Sequence, residues 1–250
     1  MSYILEIENL THRFSDGTLG IDRVNLRVME GELLVIAGQN GSGKTTLLRH
    51  LNGLLLPTEG TIKVVGVSVA EDPPRARQMV GMVFQNADSQ IVGETVYDDV
   101  AFGPENLCLE RTEIKRRVAD ALNAVGLTRF ADQRPHLLSG GEKRRLAIAG
   151  ILAMKSKILV FDEPFSNLDY PGVRQLLKAI LSLHQTRHTI LLTTHDLEKV
   201  LAHGNRLVIM AAGRIVRDGA TDEVLSGIEA FGVRQPCASR LGMKIESWLN

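Results

Sequence analysis

Apolar and polar residues alternate over 3–8 and again over 22–28, where Val24, Leu26 and Val28 fall on one face. That period predicts two half-buried strands, which we read as antiparallel β elements at the N-terminal end. Gly31 leads into an unbroken apolar run, LLVIA at 33–37. A run with no polar face is what a strand covered on both sides requires. Glycines follow it, and a helix is expected from about Lys44. Further strands are expected at 61–65, 79–84, 158–162, 188–193 and 206–210, with a hairpin-like piece, GRIVRDG, at 213–219. The runs at 158–162 and 188–193 are short, apolar and flanked by helical patterns. This predicts an α/β chain whose mostly parallel sheet carries helices on both faces.

The pattern changes between Gln85 and about Ala153. In TEIKRRVADALNAV (112–125), Ile114, Val118, Ala121, Leu122 and Val125 recur at helical spacing. No strand pattern interrupts this stretch, so a helical subdomain over approximately 86–153 is expected, inserted between two core strands. No internal repeat or low-complexity linker divides the chain.

Composition narrows the function classes. With 44% hydrophobic and 23% charged residues the chain suits an α/β protein with a substantial core. Lys+Arg and Asp+Glu balance at 29 each, so no global basic field draws nucleic acid. Cys108 and Cys237 lie far apart and form no CxxC pair, which reads as a reduced, cytosolic setting. MSYILEIENLTHRF lacks the pattern of a signal peptide. The apolar runs fall far short of the roughly 20 residues a spanning helix needs, so any membrane role is expected to come through a partner.

Three motifs carry the candidate chemistry. Residues 38–45 read GQNGSGKT, a G-x-x-x-x-G-K-T between a buried strand and a helix, which defines a P-loop NTPase core. Gly38, Asn40, Gly41, Ser42, Gly43, Lys44, Thr45 and the adjoining Thr46 form the expected ATP cradle. Glycines let backbone N–H groups wrap phosphate oxygens, and the helix N-terminus adds positive potential. Lys44 is expected on the β- and γ-phosphates, with the Thr45 hydroxyl on Mg²⁺. The second motif, ILVFDEP at 158–164, carries two carboxylates to the C-terminal edge of a strand, where ligands bind in open α/β sheets. Asp162 is expected on Mg²⁺, directly or through water, and Glu163 on the attacking water as the catalytic group. In the third, LSGGE at 138–142, Ser139 and Glu142 have capping-box spacing and predict a helix start. Gly140 and Gly141 leave backbone N–H groups bare there, which suits a second anion.

GQNGSGKT, LSGGE and FDEP, in this order, resemble the ATP-binding cassette (ABC) ATPases over roughly residues 3–220. LSGGE is the specific part, since helicases and GTPases share the P-loop but not this signature. The resemblance implies that Ser139, Gly140, Gly141 and Glu142 of one subunit close over ATP held by the other. It also implies that Phe14 stacks on adenine and that Gln85 senses Mg²⁺ and contacts the membrane partner. Asp169, in SNLD at 166–169, would cross the dimer interface, and His195, ending TILLTTH, would be the catalytic switch histidine at the γ-phosphate.

The stretch FQNADSQIVGETVYDDVAFGPENL (84–107) is similar to energy-coupling-factor importers, including the cobalt and nickel type. There a second glutamine lies on a short helix in a P-[DE]-x-Q-apolar pattern. This chain has Ala87 in the proline position, then Asp88, Ser89, Gln90 and Ile91, so Gln90 is expected to couple to the partner. The tail over 227–250 is similar to a short extension that supports dimerisation, and 1–226 would be the ATPase domain.

The resemblance thus implies an ATPase that energises import of a cobalt- or nickel-type metal ion or a vitamin, with ATP and Mg²⁺ as cofactors. Its partners would be a transmembrane coupling subunit, a substrate-binding membrane subunit and a second ATPase, identical or paralogous. Nucleic acid is not among them, and the location would be peripheral, on the inner face of the cell membrane. The alternatives are the ATPase of a binding-protein-dependent importer and an ATP-dependent clamp on nucleic acid or ribosomes. A clamp of the chromosome-maintenance type would need a long coiled coil, and ribosome-acting relatives usually carry two cassettes.

Overall fold

A computed structural model describes residues 3–249. The chain runs β1 (Tyr3–Arg13), β2 (Leu19–Met29), β3 (Leu33–Ala37), α1 (Lys44–Leu51), β4 (Glu59–Val64), β5 (Val67–Ser68), α2 (Pro73–Met79) and β6 (Val80–Val83). Three long helices follow, α3 (Val96–Asn106), α4 (Arg111–Ala124) and α5 (Gly140–Ala153). The remainder is β7 (Ile158–Asp162), α6 (Tyr170–Gln185), β8 (Thr189–Thr194), β9 (Arg206–Ala211), β10 (Arg214–Ala220) and the short turns α7 (Thr221–Val224) and α8 (Cys237–Arg240).

β3 is buried along its whole length because two cores meet on it. Leu33, Val35 and Ala37 face a core shared with α3 to α6, while Leu34 and Ile36 face one shared with α1 and the antiparallel strands. Strand side chains alternate faces, so an all-apolar strand must lie between two apolar layers. The sheet order is β10-β9-β3-β8-β7-β6, parallel except for the β9–β10 hairpin. A second, antiparallel sheet, β2-β1-β4-β5, stacks beyond α1. Helices therefore cover one face as expected, whereas α1, α2 and the second sheet together cover the other.

β1 runs past Glu8, where the alternation stops, to Arg13. Its pairing with β2 shifts register between Ile7 and Leu10, and Asn9 takes a φ of 50° there. A bulge of this kind breaks the period of two without ending the strand. Among the described residues no strand lies between β6 and β7. α5 packs against α3, α4 and α6 and is apolar on most sides, with Leu146 to Ala149, Ile151 and Ala153 all buried.

Register places the site. Ala37 pairs with Thr194 and Asp162 with Thr193, so the C-terminal ends of β3, β8 and β7 lie level. The residues leaving those strands, Gly38, His195 and Glu163, therefore emerge at one edge of the sheet.

Candidate nucleotide site

The P-loop's glycines answer to local sterics. A Cβ at Gly38 would collide with Ser42 Oγ and the Met210 carbonyl. Gly41 and Gly43 hold φ of 81° and 101°, the left-handed region that side chains disfavour. Gly43 is the N-cap of α1 and provides no side-chain cap, and the helix's first turn contains no acid. Its N-terminal N–H groups and positive dipole end thus remain available to an anion. The loop folds back through Ser42 N–H to the Gln39 carbonyl at 3.2 Å and Gly213 N–H to the Ser42 carbonyl at 3.0 Å.

Above it lies a cavity of about 550 Å³ whose lining includes Phe14, Asn40, Lys44, Thr45, Thr46 and Glu163. Phe14 is 39% exposed at its rim and packs edge-on against His12, with ring centroids 4.8 Å apart. Gln85, also exposed, reaches this cavity and a neighbouring one bounded by Thr45 and Asp162.

The two carboxylates are held differently. Asp162 Oδ2 accepts from Thr45 Oγ1 at 2.7 Å, and its Oδ1 accepts from Thr193 Oγ1 at 2.8 Å. Glu163, the next residue, has a φ of 48°, a left-handed conformation at a non-glycine position. Such conformations persist where surrounding bonds over-determine them. Here Glu163 N–H donates to Thr193 Oγ1 at 3.0 Å, and Glu163 Oε2 lies 2.8 Å from His195 Nδ1. Glu163 Oε1 faces Lys44 Nζ at 3.4 Å in a pair with both side chains buried. Lys44 also donates to the carbonyls of Gly38 and Gln39, at 2.7 and 3.1 Å. P-loop, both carboxylates and His195 are thus brought together.

The signature segment is not brought to this cavity. Ser139 and Glu142 do form the expected reciprocal capping box at the start of α5. Accepting from the Ser139 hydroxyl and N–H holds the Glu142 carboxyl below its usual range. Yet among the described residues lining the cavity over the P-loop, none belongs to 139–142. A Cβ at Gly140 would meet nothing within 4 Å, and at Gly141 only ordinary contacts at 3.9 Å. Their own chain therefore gives no steric reason for two glycines. Asp169 is the N-cap of α6, accepting from Gly172 N–H at 2.9 Å.

Gln90 closes the short helix rather than lying within it. The short helix is a single 3₁₀ turn, Ala87–Ser89, capped by the Asn86 side chain, with Gln90 at its C-terminal end. Its carboxamide is engaged inside the chain: Oε1 accepts from Phe84 N–H at 3.2 Å and Nε2 donates to the Met82 carbonyl at 2.8 Å. Met82 lies in the sheet's outer strand, β6, and Phe84 directly follows that strand, so the side chain stands in for a neighbouring strand at that end. One acceptor site of Oε1 and one N–H of Nε2 are thus taken within the chain.

Two residues escaped the sequence reading. Thr193 joins the Asp162 carboxylate to the backbone N–H of Glu163, and its signal was a polar pair closing an apolar strand, TILLTT. Arg144, buried on α5, donates to the carbonyls of Gln85 (3.4 Å) and Ser166. Burial holds its guanidinium pKa below the usual value. Its signal was a charge three residues before Ala147, on a buried face of that helix. Alongside it, Lys143 pairs with Asp88 at 2.5 Å.

A P-loop joined to a strand-end Asp-Glu pair and a histidine, with a separate LSGGE helix start, defines a class of nucleotide-hydrolysing cassettes. The chain belongs to the ABC transporter family, whose sequence profile matches residues 21–166, and it is an ATP-binding, ATP-hydrolysing protein of that family. It is 42% identical to the energy-coupling factor transporter ATP-binding protein EcfA of Methanocaldococcus jannaschii over 232 residues, which is 92% of this chain and 83% of the relative. Among solved structures it is similar to cbiO1 of Clostridium perfringens, described as part of the ABC transporter complex cbiONQ. The TM-score is 0.84 at 35% identity, covering 97% of this chain and 99% of that one. It is also similar to a dimeric ATP-binding cassette in a post-hydrolysis state with ADP and Pi, with TM-score 0.77, 27% identity, and 87% and 98% coverage. Among the described residues no helix is long and apolar enough to cross a membrane.

Proposed function

We propose that the chain is the motor of an energy-coupling-factor importer for a cobalt- or nickel-type metal ion or a vitamin. It would sit peripherally on the inner face of the membrane, bound to a transmembrane coupling subunit and a substrate-binding membrane subunit. Two ATPase chains, identical or paralogous, would face each other so that residues 139–142 of each close over ATP on the other. The observation that carries the dimer is that separation: one chain holds a complete P-loop with its carboxylates, and a glycine helix start that does not line its own cavity. The names of the relatives support the importer class.

In this reading Lys44 exchanges the carbonyls of Gly38 and Gln39 for phosphate oxygens, which make stronger charge-assisted bonds. Phe14 offers its ring to the base at the cavity rim. Thr45 and Asp162, whose hard oxygens already lie 2.7 Å apart, suit Mg²⁺, which binds through few protein oxygens. Bound Mg²⁺ would neutralise charge between the β- and γ-phosphates. Glu163 accepts a proton from the attacking water, with His195 holding the carboxylate from its other side. Gln85, whose carbonyl accepts from Arg144, would report the nucleotide to the helices over approximately 86–153. An apolar groove of about 540 Å³ between α2, α3 and α5, with exposed Val92 and Phe102, supports docking of a partner helix there.

Identifying the integral membrane proteins that co-purify with the chain from gently solubilised membranes tests the importer reading. A coupling protein together with a small substrate-binding membrane protein is the expected result. Co-purification with a periplasmic-type binding-protein system would replace it.

A further inference from the structure

The tail that follows α8 turns back onto the body of the chain and touches two segments that both lead from the hydrolytic site. Ile245, Trp248 and Leu249 pack half-buried against the larger core. The Trp248 ring lies 5.5 Å from that of Tyr170, tilted by 46°. Tyr170 opens α6 and directly follows Asp169. One turn further along α6, Arg174 donates to the Leu249 carbonyl at 2.9 Å and lies over the Tyr170 ring. Trp248 also carries Lys199 Nζ over its ring at 5.9 Å. Lys199 pairs with Asp196 at 3.1 Å, next to His195, and lines the cavity that holds Glu163, Asn167 and His195. The same segment is tied again by His203 to Ser247 Oγ at 2.9 Å and by Glu198 Oε1 accepting from Cys237 N–H at 2.5 Å.

We propose that the tail, through Trp248, is an intramolecular brace that fixes the Asp169 end of α6 against the segment after His195. Trp248 is thus a positioning residue for hydrolysis. The proposal rests on the reading of Glu163 and His195 as the hydrolytic pair. Each contact is modest alone, an aromatic pair or a cation over a ring. Their arrangement matters more, because one indole touches both segments, and a shift of either changes its surroundings. This differs from a tail that merely supports dimerisation. A dimer support acts through subunit affinity, so its loss is repaired by mass action. A brace acts within the chain, and its loss is not.

Steady-state hydrolysis by full-length Trp248→Ala and Trp248→Phe, over a range of protein concentrations, decides between them. The alanine variant should lower kcat on the order of five-fold, within the range seen for residues that couple elements, with KM for ATP changed by less than about two-fold. The deficit should persist at high protein concentration, and Trp248→Phe, which keeps the ring, should recover most of the rate. Should Trp248→Ala fail to fold, Arg174→Ala, which frees the Leu249 carbonyl, should lower kcat in the same way. An unchanged kcat, or a deficit that vanishes as protein concentration rises, overturns the brace. Trp248 is the only tryptophan, so its emission is a second readout. In Glu163→Gln protein the emission should shift on saturation with ATP, and a spectrum indifferent to bound ATP counts against the brace. Hydrolysis surviving in Glu163→Gln would fault the site reading, while the Trp248 comparison in the otherwise unaltered chain still decides the brace.

Discussion

Thr45 Oγ1 donates to Asp162 Oδ2 at 2.7 Å, joining the P-loop to a strand end 117 residues further along the chain. The other carboxylate oxygen is fixed by Thr193 from the neighbouring strand. Asp162 is therefore oriented before any cation arrives, with one hydroxyl that can share the cation and one that aims the carboxylate. Outer-shell partners of this kind are worth on the order of 10–100-fold in metal affinity. Thr193→Val keeps the shape and removes the hydroxyl. It should raise the Mg²⁺ concentration that half-saturates hydrolysis by about ten-fold or more and leave Mg²⁺-free ATP binding nearly unchanged. An unaltered Mg²⁺ titration would show that Thr193 serves only the backbone at Glu163.

Glu163 is held between Lys44 and His195, near the P-loop cavity yet able to turn a carboxylate oxygen to a water. Glu163→Gln keeps the size and hydrogen-bonding capacity but cannot take a proton. ATP binding should survive, while turnover falls by on the order of 10²–10⁴-fold, the usual contribution of a general base. Equilibrium binding and single-turnover hydrolysis measured on the same protein separate the two. Weakened binding with normal turnover per bound ATP would assign Glu163 to the cradle instead.

Ser139 and Gly140 are exposed, and neither lines the cavity of its own chain. A bulky cation at the helix start should therefore harm only what a second chain needs. In the Glu163→Gln background ATP should drive dimerisation in sizing experiments, and adding Ser139→Arg should abolish it without weakening ATP binding by the single subunit. Loss of binding by the monomer would place the signature at its own P-loop.

His50 is fully buried on α1, its Nδ1 2.7 Å from the Thr46 carbonyl, and it stacks edge-on with His12. Burial, with a smaller push from His12, holds its pKa below 6.5. The unfolded chain then takes up the proton first, so stability is intact above pH 6.5 and falls as pH drops below it. Tm followed over that range should decline, and His50→Gln should flatten part of the slope. His203, also lowered by burial, would supply part of the remainder. A slope identical in the variant would show that His50 titrates normally.

How far the chain could be read depended on whether a feature was local. GQNGSGKT and FDEP each combine an apolar strand with its functional end in a few consecutive residues, so strand, turn and chemistry were legible together. The bulge at Asn9 hid the second half of β1, because register with β2 and β4 maintains that strand after its own alternation lapses. Thr193 meets Asp162 only through parallel pairing of β7 with β8. Arg144 is the middle one of three consecutive bases, Lys143, Arg144 and Arg145, after LSGGE. That it points inward to two carbonyls depends on where the segments containing Gln85 and Ser166 run, which no local pattern encodes.

Gln90 shows the same limit, and its test follows from the structure rather than from resemblance. β6 ends the sheet, and an outer strand leaves backbone donors and acceptors without a neighbour. The 3₁₀ turn at Ala87–Ser89 reverses the chain so that one carboxamide satisfies Phe84 N–H and the Met82 carbonyl together. Gln90→Ala removes both bonds and should cost about 1 kcal/mol or slightly more, a Tm lower by about 2–4 °C for a chain of this size. Gln90→Glu can still accept from Phe84 but has no donor for Met82, so it should lie between alanine and the parent. Because the residue also lines the apolar groove between α2, α3 and α5, loosening the end of β6 should disturb partner-stimulated hydrolysis more than basal hydrolysis. Calorimetry and rate measurements on the two variants, with and without the membrane partner, check this. A stable Gln90→Ala protein whose partner stimulation alone is lost would return Gln90 to direct contact with the partner. Equal losses in stability and stimulation, both graded through Gln90→Glu, would show that it acts by holding the strand end.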